Sequence, residues 1–191
     1  DGSITILKSG IQYHSGTVVD ATFMSAKALS AFLTEQYVTT KTTGVLFSIH
    51  LKATMMKVSD PIIFGHAVKA YLEPVFSQYA KDLADVGANA NSGMGSVLES
   101  IVNSPKADEI MAAVNTAIGN NPPLYMVNSD KGITNLHVPS DVIIDASLPA
   151  LIRAGGKGWG PDNKLSDANC VIPDSSYSVS YTHLRAHETR L

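Results

Sequence analysis

A single cysteine, Cys170, stands among 191 residues, which excludes an internal disulfide framework and fits a reducing compartment. Charge is sparse. Asp, Glu, Lys and Arg make up 16% of the chain, the formal net charge is −3, and no long run of one sign occurs, so nothing marks a nucleic-acid face or an acidic-lipid surface. No apolar stretch approaches the roughly 20 residues of a membrane helix, and the start, Asp1-Gly2-Ser3, has neither an initiator Met nor a signal-peptide core. These absences set the expectations of no nucleic acid, no membrane, a cytoplasmic address and a piece cut from inside a longer protein. What is present, a pI near 6.0 and a mean hydropathy of +0.08, belongs to a globular chain long enough to bury a sizeable core.

The apolar pattern divides the chain into alternating strands and helices. Ile4-Thr5-Ile6-Leu7 alternates, breaks at Gly10 and resumes through Ile11 to Val19, which predicts a β-hairpin. Ala28, Leu29, Phe32 and Leu33 fall on one stripe of a helix from Ser25 to Tyr37, with Ser25 as N-cap. Val45 to Leu51 is a short apolar run, the pattern of a strand buried on both faces. Asp60-Pro61 starts a helix whose stripe runs from Ile63 to Tyr79, with a kink or division at Pro74. Two shorter helices follow, one over 93–103 with Val97, Leu98, Ile101 and Val102 inward, the other from Ser104-Pro105 to Gly119, so that about 80–122 forms a helical insertion. Leu124 to Asn128 reads as a strand. The segment from Val142 to Ile152 stays ambiguous, because its β-branched start and Pro149 oppose its helical spacing. Gly155 to Gly160 is expected to be a turn. From about Ser178 the patterning is lost, and 178–191 is set aside as an atypical, non-native tail. The sum is an α/β fold, a mixed sheet flanked by helices.

In open α/β sheets ligands collect beyond the carboxyl ends of strands, which makes His50 and Lys52 the first candidates. A lysine among apolar neighbours and near Lys57 would have its pKa lowered by desolvation and like charge, and would suit proton transfer at a hydroxyl. Spacing alone favours the plainer reading, two solvated lysines flanking a helix entry. Asp141 and Asp145 would share one face whether the segment is helical or extended and could hold a hard divalent cation, although an N-cap and a solvated aspartate explain the same spacing. His14, His66 and His137 follow no metal-ligand spacing and read as hydrogen-bonded structural residues. Cys170 reads as inert. In Gly155-Gly156-Lys157-Gly158-Trp159-Gly160 no Ser or Thr follows the lysine, which argues against a nucleotide loop.

Two long segments carry a more specific signal. Ile49-His50-Leu51-Lys52-Ala53-Thr54-Met55-Met56-Lys57-Val58-Ser59-Asp60-Pro61-Ile62-Ile63-Phe64-Gly65-His66, together with the stretch from Val127 to Ser147 that contains Ile143-Ile144-Asp145-Ala146, resembles the monomeric isocitrate dehydrogenases from about Val18 to Tyr177. The resemblance implies cytoplasmic, monomeric parent enzymes several times longer than this chain. They convert isocitrate to 2-oxoglutarate with NADP and magnesium or manganese, and residues 1–177 would form part of their large α/β domain. It further implies that Lys52 is the catalytic lysine and Asp145 the first of three metal-binding aspartates, with Asp141 the weaker candidate ligand. No NADP-binding residue is expected within the piece, and the isolated chain is expected to bind neither NADP nor isocitrate tightly. Two other readings stay open at this point: another metal-dependent β-decarboxylating 2-hydroxy-acid dehydrogenase, and a stand-alone, non-catalytic α/β binding module.

Overall fold

A computed structural model describes residues 3–6, 8–19, 23–51 and 59–173, and of Ser59, Ile144 and Asp145 the backbone only. Helix α1 (Ala26–Thr43) begins where the Ser25 side chain accepts from the Ala28 amide and ends at Gly44, whose left-handed backbone (φ 70°) lets its amide reach the last carbonyls. It runs a turn and a half beyond the expected Tyr37. Its buried stripe is Leu29, Leu33, Tyr37 and Thr40, while Phe32 stays exposed.

Strand β1 (Leu46–Ile49) is buried at all four positions, as a continuous apolar run requires. Helix α2 (Ser59–Tyr71) packs against α1 and gives way at Leu72 to α3 (Glu73–Gln78), with Pro74 in the first turn of α3. Pro74 therefore divides the helix, as expected, because proline lacks the amide that an unbroken helix would use there. The stripe of Ile63, Ala67, Val68, Tyr71, Leu72, Val75 and Tyr79 is buried throughout. Where α1, α2 and β1 meet, Tyr37 lies against Phe47 and Tyr71 with ring centroids 4.4 and 5.2 Å away. The buried phenols donate to carbonyls, Tyr37 to Ala67 at 2.9 Å and Tyr71 to Pro122 at 3.0 Å, which removes the cost of burying a hydroxyl.

The stretch 80–122 is helical: α4 (Ala80–Asp85), α5 (Met94–Ile101) and α6 (Ala107–Asn120). Val97 and Ile101 of α5 are buried as expected, whereas Val102 lies past the helix end and is exposed. Helix α6 starts three residues later than Ser104, whose hydroxyl instead accepts from the Lys106 amide just ahead of it. The free amides at the start of α5 are taken up by a neighbouring loop, Met94 donating to the Leu136 carbonyl (2.8 Å) and Gly95 to that of His137 (3.1 Å).

Strands β2 (Met126–Asn128) and β3 (Ile133–Thr134) form a small antiparallel pair, followed by a 3-10 turn at Pro139–Val142 and α7 (Ile144–Arg153). The ambiguous 142–152 segment is thus helical from Ile144. Leu148 and Leu151, nearly one turn apart, supply its buried edge. Strands β4 (Lys157–Trp159) and β5 (Leu165–Val171) complete a three-stranded sheet of order β1-β5-β4, with β5 parallel to β1 and antiparallel to β4. The sheet is mixed, as expected.

Two expectations fail. The described residues of 3–19 form no strand: Ile4, Ile6, Val18 and Val19 are 89%, 75%, 93% and 63% exposed, and the backbone bond between the Thr17 amide and the His14 carbonyl closes only a turn. Alternation without a surface to cover the apolar side gives a strand nothing to gain. The glycine-rich run is only partly a turn. Gly155 and Gly156 (φ 71° and 76°) reverse the chain after α7, but Lys157–Trp159 is a strand, and Gly158 has no Cβ because the Tyr125 ring occupies that space. The segment 178–191 lies outside the described residues.

Candidate active site

The candidate His50 follows strand β1 directly, and the odd and even amides of this stretch point to opposite neighbours. His50 donates its amide to the Val171 carbonyl of β5 at 2.9 Å. Phe47 and Leu51 donate the other way, to Pro123 (2.8 Å) and Val142 (2.9 Å), and Leu51 forms a parallel bridge with Ile143. The strand end that leads into Lys52 is therefore stitched to the backbone that leads into Asp145. Lys52 and Lys57 themselves lie outside the described residues. Asp145 is the second residue of α7, and its side chain is not described.

Asp141 and Asp145 do not share a helix. Asp141 is exposed in the 3-10 turn, and Ile143, extended at φ −61° and ψ 117°, separates that turn from α7. The common helix that would set them one turn apart is therefore not formed. Among the described residues no group of three or more His, Cys, Asp or Glu side chains could hold a metal ion.

His50 is 2% exposed and bonded at both ring nitrogens, Nε2 lying 2.6 Å from Ser48 Oγ and Nδ1 2.7 Å from Ser147 Oγ. Burial lowers its pKa from 6.5 to about 4, so the imidazole is neutral at neutral pH. Asn135, also buried, donates from Nδ2 to the Ile49 carbonyl (3.2 Å) and to Ser48 Oγ (3.3 Å). Ser147 Oγ donates to the Ile143 carbonyl at 2.9 Å. Sequence reasoning singled out His50 by its place after a strand but missed Ser48, Asn135 and Ser147. Only Ser48 was within reach of sequence, since i and i+2 share a strand face; the other two lie 85 or more positions away.

Of the other described histidines, His66 and His137 are hydrogen-bonded within the fold. Nδ1 of His137 accepts from the Thr134 amide (3.0 Å) and lies 2.9 Å from Thr134 Oγ1, while burial lowers its pKa and nearby Asp141 partly offsets that shift. It borders an apolar groove of about 470 Å³ with Tyr71, Leu124 and Met126, which none of Ser48, His50 or Ser147 lines. His66 Nδ1 lies 3.3 Å from Ser30 Oγ, and His14 is exposed. Cys170, on β5, has its thiol pKa pushed up by burial to about 11, which agrees with an inert residue. No helix among the described residues is long and apolar enough to cross a membrane.

Comparison with known proteins adds the context that this geometry lacks. The chain is 52% identical over 181 residues to isocitrate dehydrogenase [NADP] of Corynebacterium glutamicum, covering 95% of this chain and 24% of that protein. It is 48% identical over 183 residues to the protein of the same name from Azotobacter vinelandii (95% and 25%) and 44% identical over 185 residues to isocitrate dehydrogenase [NADP] 2 of Mycobacterium tuberculosis (96% and 25%). The chain thus spans about a quarter of the length of the curated relatives it matches. With the family model for monomeric isocitrate dehydrogenase matching residues 1–188, the strand end at Leu51 and the helix start at Ile144 have a shared context: the chain belongs to the monomeric isocitrate dehydrogenase family.

Proposed function

We propose that the chain is the part of an NADP-dependent isocitrate dehydrogenase that supplies Lys52 and Asp145 to one active site. The observation that carries this reading is the backbone bond between Leu51 and Val142, with its bridge to Ile143. It brings the residue before Lys52 next to residues two and three positions before Asp145. Residues 1–177 belong, in this reading, to the large α/β domain of a cytoplasmic, monomeric enzyme whose substrates are isocitrate and NADP.

The chemistry divides by residue type. A carboxylate such as Asp145 suits a hard magnesium or manganese ion, and the other ligands come from the rest of the protein and from substrate oxygens. When bound, the cation supplies Lewis acidity at the substrate hydroxyl and carboxylate, and NADP accepts the hydride. Lys52 moves the proton at that hydroxyl, the task for which an amine at the mouth of a buried strand is suited. Neither residue completes the reaction alone, and the isolated chain turns over neither isocitrate nor NADP.

The test is mutation in the complete enzyme. Lys52→Met lowers kcat by about 10²- to 10⁴-fold, the range of a lost acid–base group. Asp145→Asn raises the metal concentration needed for half-maximal activity by at least about tenfold. Wild-type rates and metal requirement in both variants would remove the assignment.

A further inference from the structure

One assignment of protons satisfies every hydrogen bond around His50. Carbonyl oxygens only accept. The Ile49 carbonyl therefore requires the Nδ2 side of Asn135, and the same NH₂ group then donates to Ser48 Oγ. Ser48 sends its own proton to Nε2 of His50, which makes Nε2 the acceptor and places the ring proton on Nδ1. At the far end the Ile143 carbonyl, which also takes the Ala146 and Ser147 amides, accepts from Ser147 Oγ, and in this assignment Ser147 Oγ accepts from Nδ1. The line Asn135, Ser48, His50, Ser147 and Ile143 joins the loop after β3, strand β1 and the first turns of α7, all with a neutral imidazole at its centre.

This line parallels the backbone stitch between Leu51 and residues 142–143. One bond holds main chain to main chain, and the other holds side chain to side chain. His50 lies two positions before Lys52, and Ser147 two positions after Asp145. We propose that His50 is a positioning residue, a latch that closes on Ser147 and fixes the spacing between the segments bearing Lys52 and Asp145. The inference rests on the assignment of those two residues under the proposed function, and it adds residues that touch neither substrate nor metal.

The experiment compares both ends of the latch in the complete enzyme. Ser147→Ala removes the hydroxyl that accepts from Nδ1, while Ser48→Ala removes the other hydroxyl and leaves the closure onto Ser147 intact. For Ser147→Ala we expect kcat to fall about tenfold, the worth of one buried hydrogen bond, with the metal half-saturation rising several-fold and the KM for NADP unchanged. Ser147→Thr, which keeps a hydroxyl, restores both, and Ser48→Ala lowers Tm without moving the metal half-saturation. Should Ser147→Ala be too unstable to purify, His50→Asn keeps a donor near the Nδ1 position and His50→Gln keeps a group near Nε2. The latch then requires His50→Asn to retain the higher kcat, and equal or reversed rates overturn it. Wild-type kcat and metal half-saturation in Ser147→Ala, alongside impaired Lys52→Met and Asp145→Asn, overturn the latch and leave the proposed function standing. Unimpaired Lys52→Met and Asp145→Asn bring down the reading beneath it.

Discussion

Ser48 Oγ and His50 Nε2 lie 2.6 Å apart, one in strand β1 and the other just past its end, both sealed from water. A charged imidazole there would turn a second N–H toward Ser48 and strand the serine proton.

Stability therefore depends on pH through His50. Its folded pKa is lowered to about 4 from the ordinary 6.5, so between these values the unfolded chain binds a proton that the folded chain refuses. Folding stability from this group is complete above pH 6.5, falls as the pH drops and levels off below about 4, with a total loss on the order of 3 kcal/mol. Urea denaturation from pH 7.5 to 4 measures it, and His50→Gln should flatten that part of the profile. A wild-type profile with no slope there would contradict a buried neutral ring.

Gly93 holds the junction between α5 and the 136–137 loop. Its φ is 99°, and a Cβ built on it would sit 2.0 Å from the His137 carbonyl oxygen, a backbone atom with no rotamer to escape into. Gly93→Ala should cost about 2–4 kcal/mol, combining backbone strain with overpacking. Gly119, with nothing within 4 Å of its built Cβ, is the control: Gly119→Ala should be neutral or stabilising by up to about 1 kcal/mol. Chemical denaturation of the two variants side by side checks the contrast.

Cys170 should resist alkylation while the protein is folded. A thiol pKa of about 11 against an ordinary 9.0 leaves about a hundredfold less thiolate at pH 8, and the thiolate is the reacting species. Iodoacetamide labelling followed by mass spectrometry should be slower by at least that factor in buffer than in denaturant. Equal rates would show that β5 does not shelter the thiol.

Elements whose stability is local were legible in the sequence, and those that depend on a distant neighbour were not. Strand β1 announces itself as a short, largely apolar run, and Pro74 divides α2 from α3 by covalent structure alone. Strand β5, Leu-Ser-Asp-Ala-Asn-Cys-Val, went unnoticed because its residues are poor strand formers. It is a strand because β1 and β4 flank it. The hairpin expected over 4–19 is the reverse case, good alternation with nothing to lie against. At the site, the types and spacing of Lys52 and Asp145 favoured solvated charges, and the long matching segments singled them out instead. The common helix expected for Asp141 and Asp145 broke at Ile143, a residue whose extended backbone no periodicity reveals. Ser147 could not be linked to His50 from sequence, since the link exists only once α7 docks.

The parallel register of β1 on β5, Leu46 beside Ala168, also orders events in the living cell. About 120 residues separate the two strands, and a ribosome adding ~5–20 residues per second spends on the order of ten seconds between them. Until Pro123 and Leu124 are made, Leu46, Phe47, Ile49 and Leu51 lack partners on both sides, and β5 comes later still, while α1 and α2 can already coil and pair. The nascent chain thus carries an apolar segment uncovered for that interval, a foothold for a ribosome-associated chaperone.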